Sequence, residues 1–326
     1  MKQFVACGDV LGSHWRERSV VLPDPEGWDL LVAVRAVSVN PVDTKLFAAL
    51  KPQQQRVLGY DAAGVVVAVG EKVRQIKPGD VVFYAGDITR DGSFATHQLV
   101  DSRLVALKPK TLSFEQAAAL PLVGLAAAES LFEHLQLPFA ADTEASLLVI
   151  NGAGGVGSMA IQLGKLAGVR VIATASRPES QAWCRELGAD EVIDHDAVAE
   201  VQADWILNAA PNLNAYLEPM AQAVKPFGRV CALASAQGPV DINLFKDKSV
   251  GFEWTFMFTR AKYAASPERQ GQWLTRIARW VDAGMLKSIQ RMDWGPLSIS
   301  GLQQAFAQLA TGRMIGKGTF WIEAES

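Results

Sequence analysis

The chain has 326 residues, enough for roughly two domains that each bury their own core. Hydrophobic residues are 49% and charged residues 20%, the balance of an ordinary soluble globular chain and not of a disordered one. The formal net charge is −3 and no lysine or arginine cluster stands out along the chain, which argues against nucleic acid as a partner.

The first residues, MKQFVACGDVLG, lack the apolar run of a secretory signal. The longest apolar stretch, Ala117 to Leu131, carries Pro121 and Glu129 and is too short to span a membrane, so no membrane partner is expected. Cys7, Cys184 and Cys231 are scattered and odd in number, with no zinc-ligand spacing, and a reducing cytoplasm is the simplest compartment for them.

Residues 1 to about 110 read as mostly β. Strand candidates are Trp28 to Val39, Ala62 to Val69, Asp80 to Tyr84, Ser93 to Val100 and Leu104 to Leu107. Gly70, Pro78-Gly79 and Asp91-Gly92 punctuate them as turns. Short strands in succession predict a small barrel or sandwich. Ser113 to Leu120 reads as a short helix, with Ser113 and Gln116 spaced for a capping box. A second helix is expected over Val123 to Leu135, and Pro138 to Ala145 then connects to the next strand.

From Leu147 the pattern becomes an alternation of strand and helix. Strands are expected over Leu147–Asn151, Arg170–Thr174, Glu191–Ile193, Trp205–Asn208, Arg229–Ala234 and Val250–Trp254, which predicts a doubly wound parallel sheet. The first strand runs into Gly152-x-Gly154-x-x-Gly157, with Gly155 and Val156 inside the turn, and a helical stretch follows to Leu166. Strand, glycine turn and helix in that order form a dinucleotide fingerprint. The glycines permit the tight turn, the approach of a pyrophosphate and close helix–strand packing. The helix N-terminus faces the phosphates with unpaired N–H groups.

An acid at the end of the second strand usually binds the ribose hydroxyls of NAD. Here that strand ends in Ala175-Ser176-Arg177, with no acid before Glu179. Arg177 and Ser176 suit a 2′-phosphate instead, so NADPH is the expected cofactor. Asn208, Ala209 and Ser235 end later strands, where ligands of open α/β sheets lie. Farther on, Pro267 to Ala283 and Ser300 to Leu309 read as helices, and β-prone Thr319 to Ile322 is positioned to return to the first domain.

The segments SVNPVDTK (Ser38 to Lys45), GYDAAGVVVAVG (Gly59 to Gly70), KPGDVV (Lys77 to Val82), GAGGVG (Gly152 to Gly157), LGADEVID (Leu187 to Asp194) and GRMIGK (Gly312 to Lys317) occur in order over nearly the whole chain. Together they resemble the medium-chain dehydrogenase/reductase family, in its zinc-free quinone oxidoreductase branch, which includes zinc-type alcohol dehydrogenase-like proteins. The resemblance implies an α/β protein with a GroES-like β-rich catalytic domain, a Rossmann doubly wound parallel sheet, and a cofactor in the cleft between them. The corresponding domains are residues 1–120, 121–262 for nucleotide binding, and 263–326 returning to the catalytic domain. Relatives are often dimers through the edge of the nucleotide sheet, for which Val250 to Phe256 is the candidate, so a homodimer is expected.

By the same match, zinc-bearing relatives place metal ligands at Asn40, Tyr60 and near Leu122, next to an acidic position, Asp61. An amide, a phenol and an alkyl chain are not zinc ligands, and the segment Tyr84 to Gly92 has no cysteine for a structural zinc. No metal is expected. His14, His97, His134 and His195 share no motif and read as surface or structural histidines. The resemblance also puts Phe258 and Lys317 near the cofactor.

Without a Lewis acid to polarise a simple ketone, hydride addition to a quinone or an α,β-unsaturated carbonyl is the easier chemistry, because charge spreads onto a conjugated oxygen. Asn40 and Tyr60 are candidate donors to that oxygen, and Asp43 is a candidate to orient Asn40 or Lys45, or to cap the next turn. The reading is therefore an NADPH-dependent quinone or enone oxidoreductase. An alcohol dehydrogenase is its rival among enzymes, and an NADPH-binding sensor or structural protein with little turnover is its rival outside them.

Overall fold

The computed structural model describes residues 1–139 and 144–323, so part of the connection expected over Pro138 to Ala145 lies outside the described residues. Two units are present: Met1–Leu122 with Phe258–Ser326, and Val123–Met257. The return to the first unit thus begins at Phe258, earlier than residue 263.

The chain opens with an antiparallel hairpin, β1 (Lys2–Asp9) and β2 (Gly12–Ser19). Sequence pattern did not single these strands out. β1 is buried almost continuously, and β2, GSHWRERS, buries only Trp15, so neither alternates clearly. Next come β3 (Asp29–Ser38), helix α1 (Pro41–Ala48) and the short β4 (Gln55–Val57), which pairs with β1. β5 (Ala62–Val69), β6 (Val81–Tyr84), β7 (His97–Asp101) and β8 (Val105–Leu107) follow. The strand expected from Ser93 is shorter, because the N–H groups of Gly92, Ser93 and Phe94 bond the carbonyls of Val57, Gly59 and Leu58. Helix α2 (Phe114–Ala118) is capped as its spacing predicts. Gln116 N–H donates to Ser113 Oγ at 3.2 Å, and Ser113 N–H to Gln116 Oε1 at 3.1 Å. Helix α3 (Pro121–Ala128) passes into a π-helical turn, Glu129–His134, where Leu135 N–H reaches back five residues to Ser130 O. The single helix expected there is therefore two hydrogen-bonding phases.

The second unit alternates β9 (Ser146–Ile150), α4 (Gly155–Ala167), β10 (Arg170–Thr174), α5 (Pro178–Glu186), β11 (Glu191–Ile193), β12 (Ala203–Asn208), α6 (Leu217–Ala223), β13 (Val224–Ala232) and β14 (Gly251–Trp254). All six strands are parallel, in the order β11-β10-β9-β12-β13-β14. Chain direction across the sheet reverses between β9 and β12, the switch point of a Rossmann sheet. Leu148, Ile150, Ile172, Ile206 and Val230 form part of the core on one face.

The chain returns through α7 (Thr259–Lys262), α8 (Glu268–Asp282), β15 (Gln290–Pro296), α9 (Ile299–Ala310) and β16 (Lys317–Trp321). β16 pairs antiparallel with β3, with Thr319 opposite Ser38 and Phe320 opposite Val37. It joins a sheet ordered β15-β16-β3-β5-β6-β8, to which β7 adds through β3. β15, which pairs parallel to β16, was not foreseen. Because β16 starts beside the end of β3, Lys317 comes within reach of Asn40.

Candidate active site

Three short segments of the first unit converge: the loop into α1, the turn into β5, and the first residue of β16. Asp43 ties the first two. Its Oδ2 accepts the Asn40 N–H at 2.8 Å, and its Oδ1 accepts the Gly59 N–H at 2.9 Å. Gly59 has φ +103°, and a Cβ there would lie 2.6 Å from Phe94 Cδ1 and 2.8 Å from Phe94 N, so only glycine fits. The residue after it is Tyr60. Asp43 is thus a backbone brace that places both Asn40 and Tyr60. Burial pushes the Asp43 carboxyl up to about 7, opposed by those two amides and by Lys317.

At the centre lies a buried polar cluster. Lys317 Nζ donates to Val39 O at 2.9 Å, to Asp61 Oδ2 at 3.1 Å and to Asn40 Oδ1. Asn40 Nδ2 donates to Asp61 Oδ2 at 2.7 Å, and Leu122 N–H to Asp61 Oδ1 at 2.7 Å. Lys317 is 4% exposed, and Asn40, Asp43 and Asp61 are 0% exposed. Burial lowers the Lys317 pKa, against the pull of Asp61, and raises that of Asp61, against the pull of Lys317. An ammonium has three N–H donors. All three are taken here, by Val39 O, Asn40 Oδ1 and Asp61 Oδ2.

Tyr60 is also 0% exposed, and the Phe258 ring lies edge-on against it at 5.2 Å. Phe258 belongs with the first unit and packs against Tyr60. Burial raises the phenol's pKa, so the hydroxyl stays protonated across the working pH range. Asn40 keeps one amide hydrogen beyond its bond to Asp61, which leaves it a second donor.

The residue set does not fit zinc. At the three positions the resemblance assigns to metal ligands stand an amide held by Lys317 and Asp61, a protonated phenol and the backbone of Leu122. A buried ammonium lies in the same cluster, where it would repel a dication. Among the described residues no group of three or more His, Cys, Asp or Glu side chains comes together as a metal site.

In the second unit the glycine turn joins β9 to α4. A Cβ on Gly157 would lie 2.2 Å from Asn151 O and 2.7 Å from Gly152 Cα, so helix and strand meet as closely as the fingerprint predicts. Gly154 is the N-cap of α4, and the N–H groups of Gly155, Val156 and Gly157 are in its first turn, where they lack intrahelical partners. Asn151 adopts φ +65°, ends β9 one residue early, and sends Nδ2 to Ala209 O at 3.2 Å across the switch point. Ser176 is exposed and Arg177 half-buried at the end of β10. Asn208 turns inward, its Oδ1 accepting the Ala210 N–H at 3.0 Å, so it shapes the loop. Ser235 lies exposed beyond the end of β13. These groups fit a dinucleotide: a glycine cradle for phosphates and a cation with a hydroxyl at the second strand's end.

One partnership escaped sequence reading: Asp61 stands in a motif but meets Lys317, which lies 256 residues away. His195, read as a surface or structural histidine, is a structural one: its Nδ1 lies 3.0 Å from both Thr174 Oγ1 and Tyr216 Oη, and Thr174 Oγ1 also accepts the Asn151 N–H at 2.8 Å.

Both units match known dehydrogenase domains. Residues 26–110 match the alcohol dehydrogenase GroES-like domain, and 155–267 match the zinc-binding dehydrogenase domain. A zinc-type alcohol dehydrogenase-like protein of Staphylococcus aureus (strain COL) is 40% identical over 305 residues, covering 90% of this chain and 91% of that one. The chloroplastic NADPH-dependent alkenal/one oxidoreductase of Arabidopsis thaliana is 33% identical over 317 residues, covering 92% of this chain and 74% of that one. The crystal structure of an alcohol dehydrogenase superfamily protein from Novosphingobium aromaticivorans superposes with TM-score 0.87 at 28% identity, covering 99% of this chain and 100% of that one. The chain belongs to the medium-chain dehydrogenase/reductase family.

Proposed function

We propose that the protein is a zinc-independent, NADPH-dependent reductase of α,β-unsaturated carbonyls, with quinones as further acceptors. The observation that carries this reading is that Asn40, held by Lys317 and Asp61, and a protonated Tyr60 offer hydrogen-bond donors at positions that the family resemblance assigns to metal ligands. Bound NADPH would supply a hydride to the β-carbon of the substrate. Gly152, Gly154, Gly155, Val156 and Gly157 would hold its phosphates, Ser176 and Arg177 its 2′-phosphate, and Ala209 and Ser235 would line the path of its ribose and nicotinamide. The Tyr60 O–H would donate to the carbonyl oxygen as charge develops there, and the spare Asn40 N–H would be a second donor. Solvent can complete the α-carbon with a proton. Because Tyr60 is fully covered, a substrate reaches its hydroxyl only when the side chains over it shift, and Phe258 is the one lying on its ring.

The Arabidopsis relative supports both the enone class and NADPH. A homodimer through β14 fits its place at the sheet edge, with Trp254 and Phe256 each 47% exposed. Three buried free cysteines fit a reducing cytoplasm, and among the described residues no helix is long and apolar enough to cross a membrane.

The test pairs NADPH and NADH with quinones, enals, enones and acyl-CoA thioesters, before and after chelation, with metal content measured on the purified protein. The expected result is NADPH-dependent enone reduction that survives chelation. Stoichiometric zinc with chelator-sensitive alcohol oxidation overturns it in favour of an alcohol dehydrogenase. Tight NADPH binding with no turnover across the panel favours a sensor.

A further inference from the structure

Tyr60 receives a hydrogen bond from Arg56, four residues earlier. Arg56 Nη2 lies 3.1 Å from Tyr60 Oη, and the same nitrogen donates to the Ile88 carbonyl. A guanidinium donates and never accepts. The polarity of this contact is therefore settled: Tyr60 accepts, and its own proton is left to be given elsewhere. Among the described residues no acceptor takes that proton, although the side chain is 0% exposed. Both hydrogens of Nη2 are spent, on Oη and on Ile88 O, so the guanidinium cannot swing away without losing two bonds. Its charge also acts on the phenol, opposing the effects of Asp43, Asp87 and Asp91. A cation donating to a hydroxyl oxygen polarises the O–H bond and strengthens it as a donor. Backbone geometry holds the pair together. Arg56 lies in β4 opposite Ala6, and the Gly59 turn that follows is braced by Asp43.

We propose that Arg56 is a positioning residue for catalysis: it aims the Tyr60 proton toward the substrate's carbonyl oxygen and strengthens that donation. The proposal rests on the reading of Tyr60 as the oxyanion donor. It concerns a hydrogen bond only. No proton leaves Arg56, and none needs to leave Tyr60.

The test is a double-mutant cycle on steady-state reduction of an enone by NADPH, with NADPH affinity and thermal unfolding measured on each variant. Tyr60→Phe alone tests the donor reading, and about a 100-fold fall in kcat is expected. Arg56→Gln is expected to lower kcat about tenfold with KM and NADPH affinity within about twofold, and to change kcat by less than about twofold in the Tyr60→Phe background. Arg56→Lys keeps the charge and is expected to recover most of the loss. If Arg56→Gln lowers kcat by the same factor in both backgrounds, Arg56 acts independently of Tyr60 and the proposal is overturned, while the donor reading stands. If Tyr60→Phe retains the parent's kcat, the donor reading fails and the proposal falls with it. Should Arg56→Gln not fold, Arg56→Lys carries the cycle: a fall of about threefold that vanishes with Tyr60→Phe supports the proposal, and an equal fall in both backgrounds overturns it.

Discussion

Replacing Lys317 by methionine removes the one cation from a cluster that holds two carboxylates. Methionine keeps much of the length and fills the space, so the change is chiefly electrostatic. Three acceptors then lose a donor: Val39 O, Asn40 Oδ1 and Asp61 Oδ2. Asp61 retains Asn40 Nδ2 and Leu122 N–H but is left fully buried without a countercharge. Breaking a buried pair by removing one partner costs about 3–5 kcal/mol. For a unit of this size, each kcal/mol lowers the midpoint by about 2–4 °C, so a drop on the order of 10 °C is expected. The pH dependence is a sharper measure. Without Lys317 the folded-state pKa of Asp61 rises further above its unfolded value, so the folded chain binds a proton that the unfolded chain releases. Stability attributable to Asp61 is then fully present below about pH 4, the unfolded pKa, and is lost as pH rises toward the folded pKa. The deficit of Lys317→Met relative to the parent should therefore be smallest in acid and largest near neutrality, and Asp61→Asn added to Lys317→Met should remove most of that slope. Thermal and urea unfolding between pH 4 and 8 measure both. A deficit below about 1 kcal/mol at pH 7, or one that grows as pH falls, refutes the reasoning.

Three other outcomes follow from the geometry. Gly157→Ala puts a Cβ 2.2 Å from the Asn151 carbonyl oxygen, all backbone on that side, so the turn must open; NADPH affinity should fall at least about tenfold by fluorescence titration, and a change under twofold contradicts a cradle at this turn. Arg177→Ala should weaken NADPH by about 10–100-fold and NADH by far less, and equal losses sink the 2′-phosphate assignment. The Asp43 carboxyl, pushed up to about 7 by burial, holds in the folded chain a proton that the unfolded chain releases near pH 4; its contribution is fully present below that pH and is lost on rising through 7, so the stability of the parent minus that of Asp43→Asn should decline from pH 4 to 7.5. A difference that climbs over that range shows that the two amide donors dominate burial.

The glycine turn was legible because its chemistry is local. Spacing at Gly152, Gly154 and Gly157 marks a turn so tightly packed that Gly152 and Gly157 leave no room for a Cβ, and the strand before and helix after it are contiguous in sequence. The parallel sheet was legible for the same reason, since each strand and its helix form a neighbouring pair. Strands β1 and β2 were not, because one is buried on both faces and the other on almost neither, and neither leaves an alternating pattern.

Asn40, Tyr60 and Asp61 could be named from their motifs, yet their roles could not. Chain order alone offered Asp43 two or three partners. The fold chose the N–H groups of Asn40 and Gly59, because α1 and the turn before β5 bring them to its two oxygens. The partners of Lys317 were not legible either, and the pairing of β16 with β3 delivers it to Asn40 and Asp61. Sequence by itself determined the glycine turn between β9 and α4 and the lack of zinc-type side chains at Asn40, Tyr60 and Leu122, because both depend on residue types at fixed local positions. Which side chain spends its hydrogen bonds on which, and so which donors remain for a substrate, only the tertiary structure decided. Those partners are separated by up to 278 residues and meet only when β16 pairs with β3.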